Sequence, residues 1–224
     1  MRAGDVRYFD YNEDGDITDA DRVNVGKAIP DFHGGITSNF SYKGFDLSLF
    51  GQFSVGGKVM AAWRGVNGSE GTDHLGLALS NVKVGDRGES VEQFFNISKE
   101  VANGYWRGEG TSNSIPRPVR IGVHTGYDYD YNVQTSTRYL EDASYFKLKT
   151  VTLGYTLPES ITKKIHVNSL RVYVSADNLL TFTKYSGYDP ETSFSGSPGD
   201  SNYGVDFGLQ PVLRTFIFGL NLNF

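Results

Sequence analysis

No cysteine occurs among the 224 residues, which excludes a disulfide framework, thiolate metal ligation and a thiol nucleophile. It also fits a protein that crosses an oxidising compartment without mispairing. The chain has no apolar run of about eighteen residues, so it offers no membrane-spanning helix. An excess of charge is missing too: 21 Lys and Arg against 26 Asp and Glu leave a net charge of −5, which provides no basic surface for nucleic acid. The opening "MRAGDVRYFD" lacks a basic flank followed by an apolar stretch, so it does not read as a secretion signal. An exported protein with this sequence is expected to extend beyond it.

What the chain does have is aromatic and glycine-rich. Phe and Tyr supply 15 and 14 residues against two Trp, beside 27 Gly, a balance that favours strands with long loops. The strands announce themselves by period. In "RTFIFGLNLNF" the residues Phe216, Phe218, Leu220, Leu222 and Phe224 take every second position, giving one greasy and one polar face. The same alternation runs through "FDLSLFGQFSV" from Phe45, with Asp46, Ser48, Gln52 and Ser54 opposite the apolar set. Before it, Ile36, Phe40 and Tyr42 alternate with Thr37, Asn39 and Ser41, and Lys43-Gly44 forms a tight link that predicts a hairpin. "SYFKLKTVTLGYTLP" alternates as well, but Phe146 and Leu148 fall on the opposite parity from Val151, Leu153 and Tyr155. That slip predicts a bulge near Lys149. "SLRVYVSADNLLTF" is the remaining run of this kind.

Link lengths alternate between short and long. The first hairpin turns in two residues and "PESITKKIHVN" joins the next pair, whereas 56–138 and 184–210 are long excursions. Short turns at one end and long loops at the other are the habit of outer-membrane barrels. The competing architecture is a soluble β-sandwich, which would bury its greasy faces against one another. Five strands cannot close a barrel, for which about eight is the minimum.

The wording of several segments is more specific than their periodicity. "RYLEDASYFKLKTVTLGYTLP", "SLRVYVSADNLLTFTKYSGYDPE" and the final "RTFIFGLNLNF" resemble the last strands of the SusC/RagA family of TonB-dependent outer-membrane transporters of Bacteroidetes. "GDVRYFDYNEDGDITDADRVNVGKAIPDFHGGITSNFSYKGFDLSLF" resembles the segment preceding them, and "GYWRGEGTSNSIPRP" a Trp and Pro-Arg loop of the same family. The likeness covers nearly the whole chain except 58–103.

The resemblance implies an all-β fold: the C-terminal portion, about five antiparallel strands, of a transmembrane barrel of about 22 strands with long extracellular loops. On that reading 1–31 is an acidic extracellular loop and 32–55 a barrel hairpin. Residues 56–138 form a long extracellular loop, 139–183 two strands with a periplasmic turn, 184–210 another outside loop and 211–224 the terminal strand. Phe224 then belongs to a terminal strand that the barrel-assembly machinery reads. The implied function is import of glycans or peptides across the bacterial outer membrane, without covalent catalysis. The implied partners are the rest of the barrel and its plug, a SusD-like surface lipoprotein, outer-membrane lipid, and TonB–ExbB–ExbD acting through the plug. A soluble calcium-dependent carbohydrate-binding or adhesion module is the alternative. A dockerin-like module would need a second calcium loop.

One motif carries chemistry. "DYNEDGDITDAD" places Asp10, Asn12, Asp14, Gly15, Asp16 and Asp21 at positions 1, 3, 5, 6, 7 and 12 of the EF-hand template. Alternate oxygens in a tightening loop converge on one point, as a hard cation needs. Position 12 is Asp rather than the bidentate Glu, and "GDVRYF" before the loop reads as extended chain. The expectation is a structural Ca²⁺ site; an ion-free acidic turn held by Asx-type bonds is the other reading. Trp63 and Trp106 are candidate substrate-binding rings in long loops, whereas Tyr185 and Tyr188 read first as membrane-interface aromatics. His33, His74, His124 and His166 stand far apart without ligand spacing. "DYDYN" from Asp128 reads as a solvated loop. Asp46, Gln52, Lys147, Arg171 and Asp177 are expected to face a watery interior.

Overall fold

Each period-two run folds as a strand, because alternate residues of an extended chain project to opposite faces. The computed structural model describes residues 3–64, 78–83, 90–93, 103–117, 119–120, 135–191 and 203–224. Its strands are β1 (Phe32–Tyr42), β2 (Phe45–Val55), β3 (Lys58–Ala61), β4 (Ala78–Lys83), β5 (Ser90–Gln93), β6 (Val119–Arg120), β7 (Leu140–Asp142), β8 (Tyr145–Thr156), β9 (Ser169–Thr183), β10 (Val205–Asp206) and β11 (Thr215–Asn223). The long strands form one five-stranded sheet in the order β1-β2-β8-β9-β11, antiparallel at every pairing.

Turn chemistry fixes the register. Lys43 and Gly44 both take positive φ, 47° and 88°, the backbone that matches a two-residue turn to the twist of its strands. Tyr42 consequently pairs with Phe45 and Phe32 with Val55. Between β8 and β9 the chain makes a short helix α1 (Glu159–Thr162), a 3-10 turn (Lys163–Ile165) and a left-handed His166. The parity slip is a bulge: pairing shifts between Leu148 and Thr150 against β9, and at Phe50/Gly51 against β2. The unpaired Lys149 restores both halves of β8 to one apolar and one polar face.

The apolar face is open. Phe40, Phe45, Leu153, Phe182, Phe216, Phe218 and Leu220 are exposed by 59, 53, 44, 59, 57, 81 and 66 %. Rings pair across this face, Phe45 with Tyr155 at 4.5 Å and Phe146 with Phe182 at 6.2 Å between centroids. No second layer covers it among the described residues, and the interior is small, with Val59, Ala61, Ala62, Ile115, Tyr139, Val167, Ala176 and Tyr185 as its buried apolar members. A sandwich would have hidden these rings. An apolar band facing lipid leaves them exposed in the free chain.

Contacts divide the chain into two units. One comprises Lys27–Val59, Glu141–Gly204 and Leu209–Phe224, and holds the five-stranded sheet. The other comprises Met1–Gly26, Met60–Leu140 and Val205–Gly208. There β10 lies parallel to Met60 and Ala61 of β3, and β4 pairs with β5 antiparallel and with β6 parallel. The excursion 56–138 thus carries short strands of its own.

Candidate functional site

The polar face of the five-stranded sheet is a ladder of paired side chains. Near the Lys43-Gly44 turn, Arg171 donates from Nε to Asp46 Oδ1 at 2.9 Å and from a terminal nitrogen to Oδ2 at 2.5 Å. The bidentate fork suits a carboxylate in a half-buried setting. Gly154 lies between them on β8, paired with Asp46 on one side and with Tyr173, two residues from Arg171, on the other, and a Cβ there would strike both the guanidinium and the carboxylate. Further along, Thr152 and Ser175 share a hydrogen bond of 2.8 Å and Thr150 donates to Asp177 at 3.0 Å. Six residues beyond Asp46 on β2, roughly 20 Å at strand rise, lies Gln52 opposite Lys147.

At this end the expected watery surface is covered. Lys147 is only 2 % exposed, because the segment after β9, Tyr185–Glu191, folds over it as a strap. Lys147 Nζ donates to Asp189 and, at 2.5 Å, to Glu191; Lys149 donates to the same Glu191 at 2.6 Å. Tyr145 adds its hydroxyl to Glu191 at 3.1 Å and accepts from Gln52 at 3.3 Å. Ser186 donates from both N and Oγ to Glu141, each at 2.7 Å. Burial by itself raises the Glu191 carboxyl, but the two lysine ammoniums more than offset it and hold it below the usual glutamate range. Sequence reasoning placed Lys147 on the polar face and missed its partners, which lie 42 and 44 residues away. The available signal was the close acidic pair Asp189 and Glu191 in a segment immediately after a barrel strand.

The acidic loop lies in the other unit and folds around its own backbone. Asp10 Oδ2 accepts from Gly15 N at 2.8 Å, Asn12 Oδ1 from Asp14 N at 3.1 Å, and Asp14 Oδ1 from Asp16 N at 2.9 Å. Asp21 reaches back, accepting from Tyr11 N at 2.8 Å and Thr18 N at 2.7 Å. With Thr18 it forms a capping box on the 3-10 turn Asp19–Asp21. The N–H groups of Thr18 and then Tyr11 hold the Asp21 carboxyl below the ordinary aspartate range. Asp10 Oδ1 is buried without a partner, an orphaned oxygen of the kind a cation satisfies. Yet among the described residues no three His, Cys, Asp or Glu side chains are gathered as metal ligands. The fit is therefore partial: Asp10 offers a free oxygen, while Asp14 and Asp21 are turned to backbone N–H groups.

The two candidate tryptophans lie in the same unit. The Trp106 ring lies so close to Gly4, whose φ is +86°, that a Cβ would overlap the indole. Trp106 N donates to Ile115 O at 3.0 Å, Arg117 pairs with Asp5 at 2.6 Å, and Arg138 donates to Ser114 O at 2.6 Å. The edge of Trp106 still lines a groove of about 360 Å³ with Arg7 and Arg138. Trp63 stands beside Gly208 instead. His33 and His166 are exposed; His74, His124 and the "DYDYN" stretch lie outside the described residues.

No family model matches the chain. It is 33 % identical over 225 residues to TonB-dependent receptor P3 of Formosa agariphila, covering 99 % of this chain and 19 % of that protein. TonB-dependent receptor SusC of Bacteroides thetaiotaomicron is 26 % identical over 219 residues, covering 97 % of this chain and 17 % of its own length. The chain thus spans about a fifth of the curated relatives it matches. Among solved structures, the RagAB peptide importer in its open-open state superposes with a TM-score of 0.54 at 25 % identity, over 89 % of this chain and 18 % of that one. The closed-closed state gives a TM-score of 0.58. A five-stranded sheet with an open apolar face, aligned over almost all of its own length with about a fifth of these receptors, places the chain in the SusC/RagA family of TonB-dependent receptors, as part of their outer-membrane barrel.

Proposed function

We propose that the chain is a wall segment of an energy-coupled importer that takes up oligosaccharides or peptides with a SusD-like surface lipoprotein. The observation carrying this reading is the division of one sheet into an open apolar face and an ion-paired polar face. Lipid contacts the first; a polar solute passes along the second. The wall supplies no covalent chemistry: transport rests on differential contacts of wall, plug and lid, with force delivered by TonB–ExbB–ExbD through the plug. The test uses the full-length protein in energised cells. Uptake of labelled oligosaccharides or peptides is expected to need TonB, the full-length protein and the lipoprotein together. Uptake unchanged by deleting TonB would sink the reading.

We further propose that the acidic loop holds a structural Ca²⁺, with Asp10, Asn12, Asp14, Asp16 and Asp21 as its ligands. Support comes from the ligand spacing and the orphaned Asp10 oxygen. The ion would supply a fixed positive centre around which the loop closes. Titrating the full-length protein with calcium, calorimetry should detect one site that Asp10→Ala removes; no heat at millimolar calcium would refute it. Trp106, whose edge lines the groove with Arg7 and Arg138, is proposed to contact solute there. Trp63 is proposed as a second contact on the same unit.

A further inference from the structure

Strand parity says which side of the wall the strap occupies. Lys147 shares its face with Gln52 and Thr181, whereas the neighbouring Phe53, Phe146 and Phe182 form the apolar face. A segment fastened to Lys147 therefore lies on the polar side, away from lipid. Its own side chains divide sharply. Tyr185 and Asp189 are each 5 % exposed, while Tyr188 between them is 78 % exposed.

The fastening is dense for so short a segment. Thr183 Oγ1 donates to Ser144 O at 2.8 Å and accepts from Tyr185 N at 3.1 Å. Ser186 is held twice by Glu141, and Glu191 N donates back to Asp189 Oδ1 at 2.9 Å. Lys147 and Lys149 close the far end. Ordering a loop backbone costs conformational entropy, and this segment is hydrogen-bonded on both sides of one displayed ring. A tyrosine of the membrane interface would sit on the lipid side, as Tyr42 does at 70 % exposure on the apolar face of β1.

We propose that Tyr188 is a solute-contacting residue of the importer, its ring offered to the apolar face of a pyranose or of a prolyl or aromatic side chain, with Lys147 and Asp189 as positioning residues. This rests on the importer reading. An aromatic ring is suited to the task because it presents a large rigid surface with little rotamer freedom to lose on contact. Lys147 and Asp189 never touch solute; they fix the strap from which the ring projects.

The full-length protein in energised outer membranes tests it, with two probes: labelled oligosaccharides from a mixed polysaccharide hydrolysate, and a labelled tryptic peptide mixture. The probe taken up by the wild type identifies the source of the ring. Tyr188→Ala is expected to raise the half-saturating concentration about three- to tenfold, with the maximal rate per folded barrel unchanged. Tyr188→Phe should stay near wild type. Asp189→Asn should shift the half-saturating concentration in the same direction although the ring is intact. Heat-modifiable migration counts folded barrels in each variant. An unchanged half-saturating concentration in Tyr188→Ala, or an effect confined to the number of folded barrels, overturns the inference and leaves the importer reading standing. Failure of the wild type to take up either probe in an energy-dependent way removes both.

Discussion

Glu191 and Gly154 show how single residues hold the polar side of the wall together. Glu191 accepts from Lys147, Lys149 and Tyr145, and its carboxyl is held low by the ammonium charges despite burial. A depressed folded value means that its contribution is complete above the unfolded pKa and is lost as pH falls through the folded one. Strap protection against proteolysis is therefore expected to be constant near neutrality and to fall below about pH 4. Glu191→Gln should flatten that acid dependence; an unaltered profile would show that the carboxylate is not its origin. Gly154 acts by having no side chain. Gly154→Ala would displace the ends of the Asp46 and Arg171 side chains and disturb their pairing, at a cost of up to about 1 kcal/mol for a solvent-accessible ion pair. The temperature of barrel unfolding by gel migration measures it, and an unshifted midpoint would contradict the crowding seen here.

At the scale of the element, period two is the governing fact. A strand shifted by one residue turns every greasy side chain to the polar side, so β2 and β11 were legible to within a residue or two from alternation. Alternation with a slip was legible as well: the bulge at Lys149 follows from Phe146 and Leu148 standing on one parity and Val151 and Leu153 on the other. The two faces of one strand should answer charge differently. Leu153→Arg, on the open face of central strand β8, is expected to cost about 2–4 kcal/mol if it sits near the membrane midplane. Ser48→Arg, on the polar face of β2, should leave folded yield near wild type. Equal losses from both, read as the fraction of heat-modifiable barrel, would mean that the faces do not differ in solvent. The acidic loop was legible for a separate reason: its partners lie within ten or so positions, as between Tyr11 and Asp21, and local spacing suffices to find them.

For the molecule as a whole, few buried apolar residues and a broad apolar face among the described residues mean that these residues lack the means to hide their own hydrophobic surface. Contiguous apolar patches beyond a few hundred Å² rarely persist on soluble proteins. Both outer strands of the sheet, β1 and β11, also carry one unpaired edge among the described residues, which invites pairing with further strands. Expressed by itself, the 224-residue chain is accordingly expected in inclusion bodies or detergent rather than as a folded monomer in water. A monodisperse, cooperatively melting monomer without detergent would overturn the lipid-facing assignment.

The amino-acid sequence by itself determined the strands, their faces, the first turn, the bulge and the calcium-type spacing, because each depends on residues near one another along the chain. Only the tertiary structure decided what the polar residues do. Asp46 meets Arg171 from 125 positions away, Lys147 is buried beneath the strap, Trp106 packs on Gly4, and the Tyr188 ring projects from a fastened segment. Periodicity tells a side chain which face it is on. Its partner across that face depends on strand order and loop path, which arise from long-range pairing that no local pattern encodes.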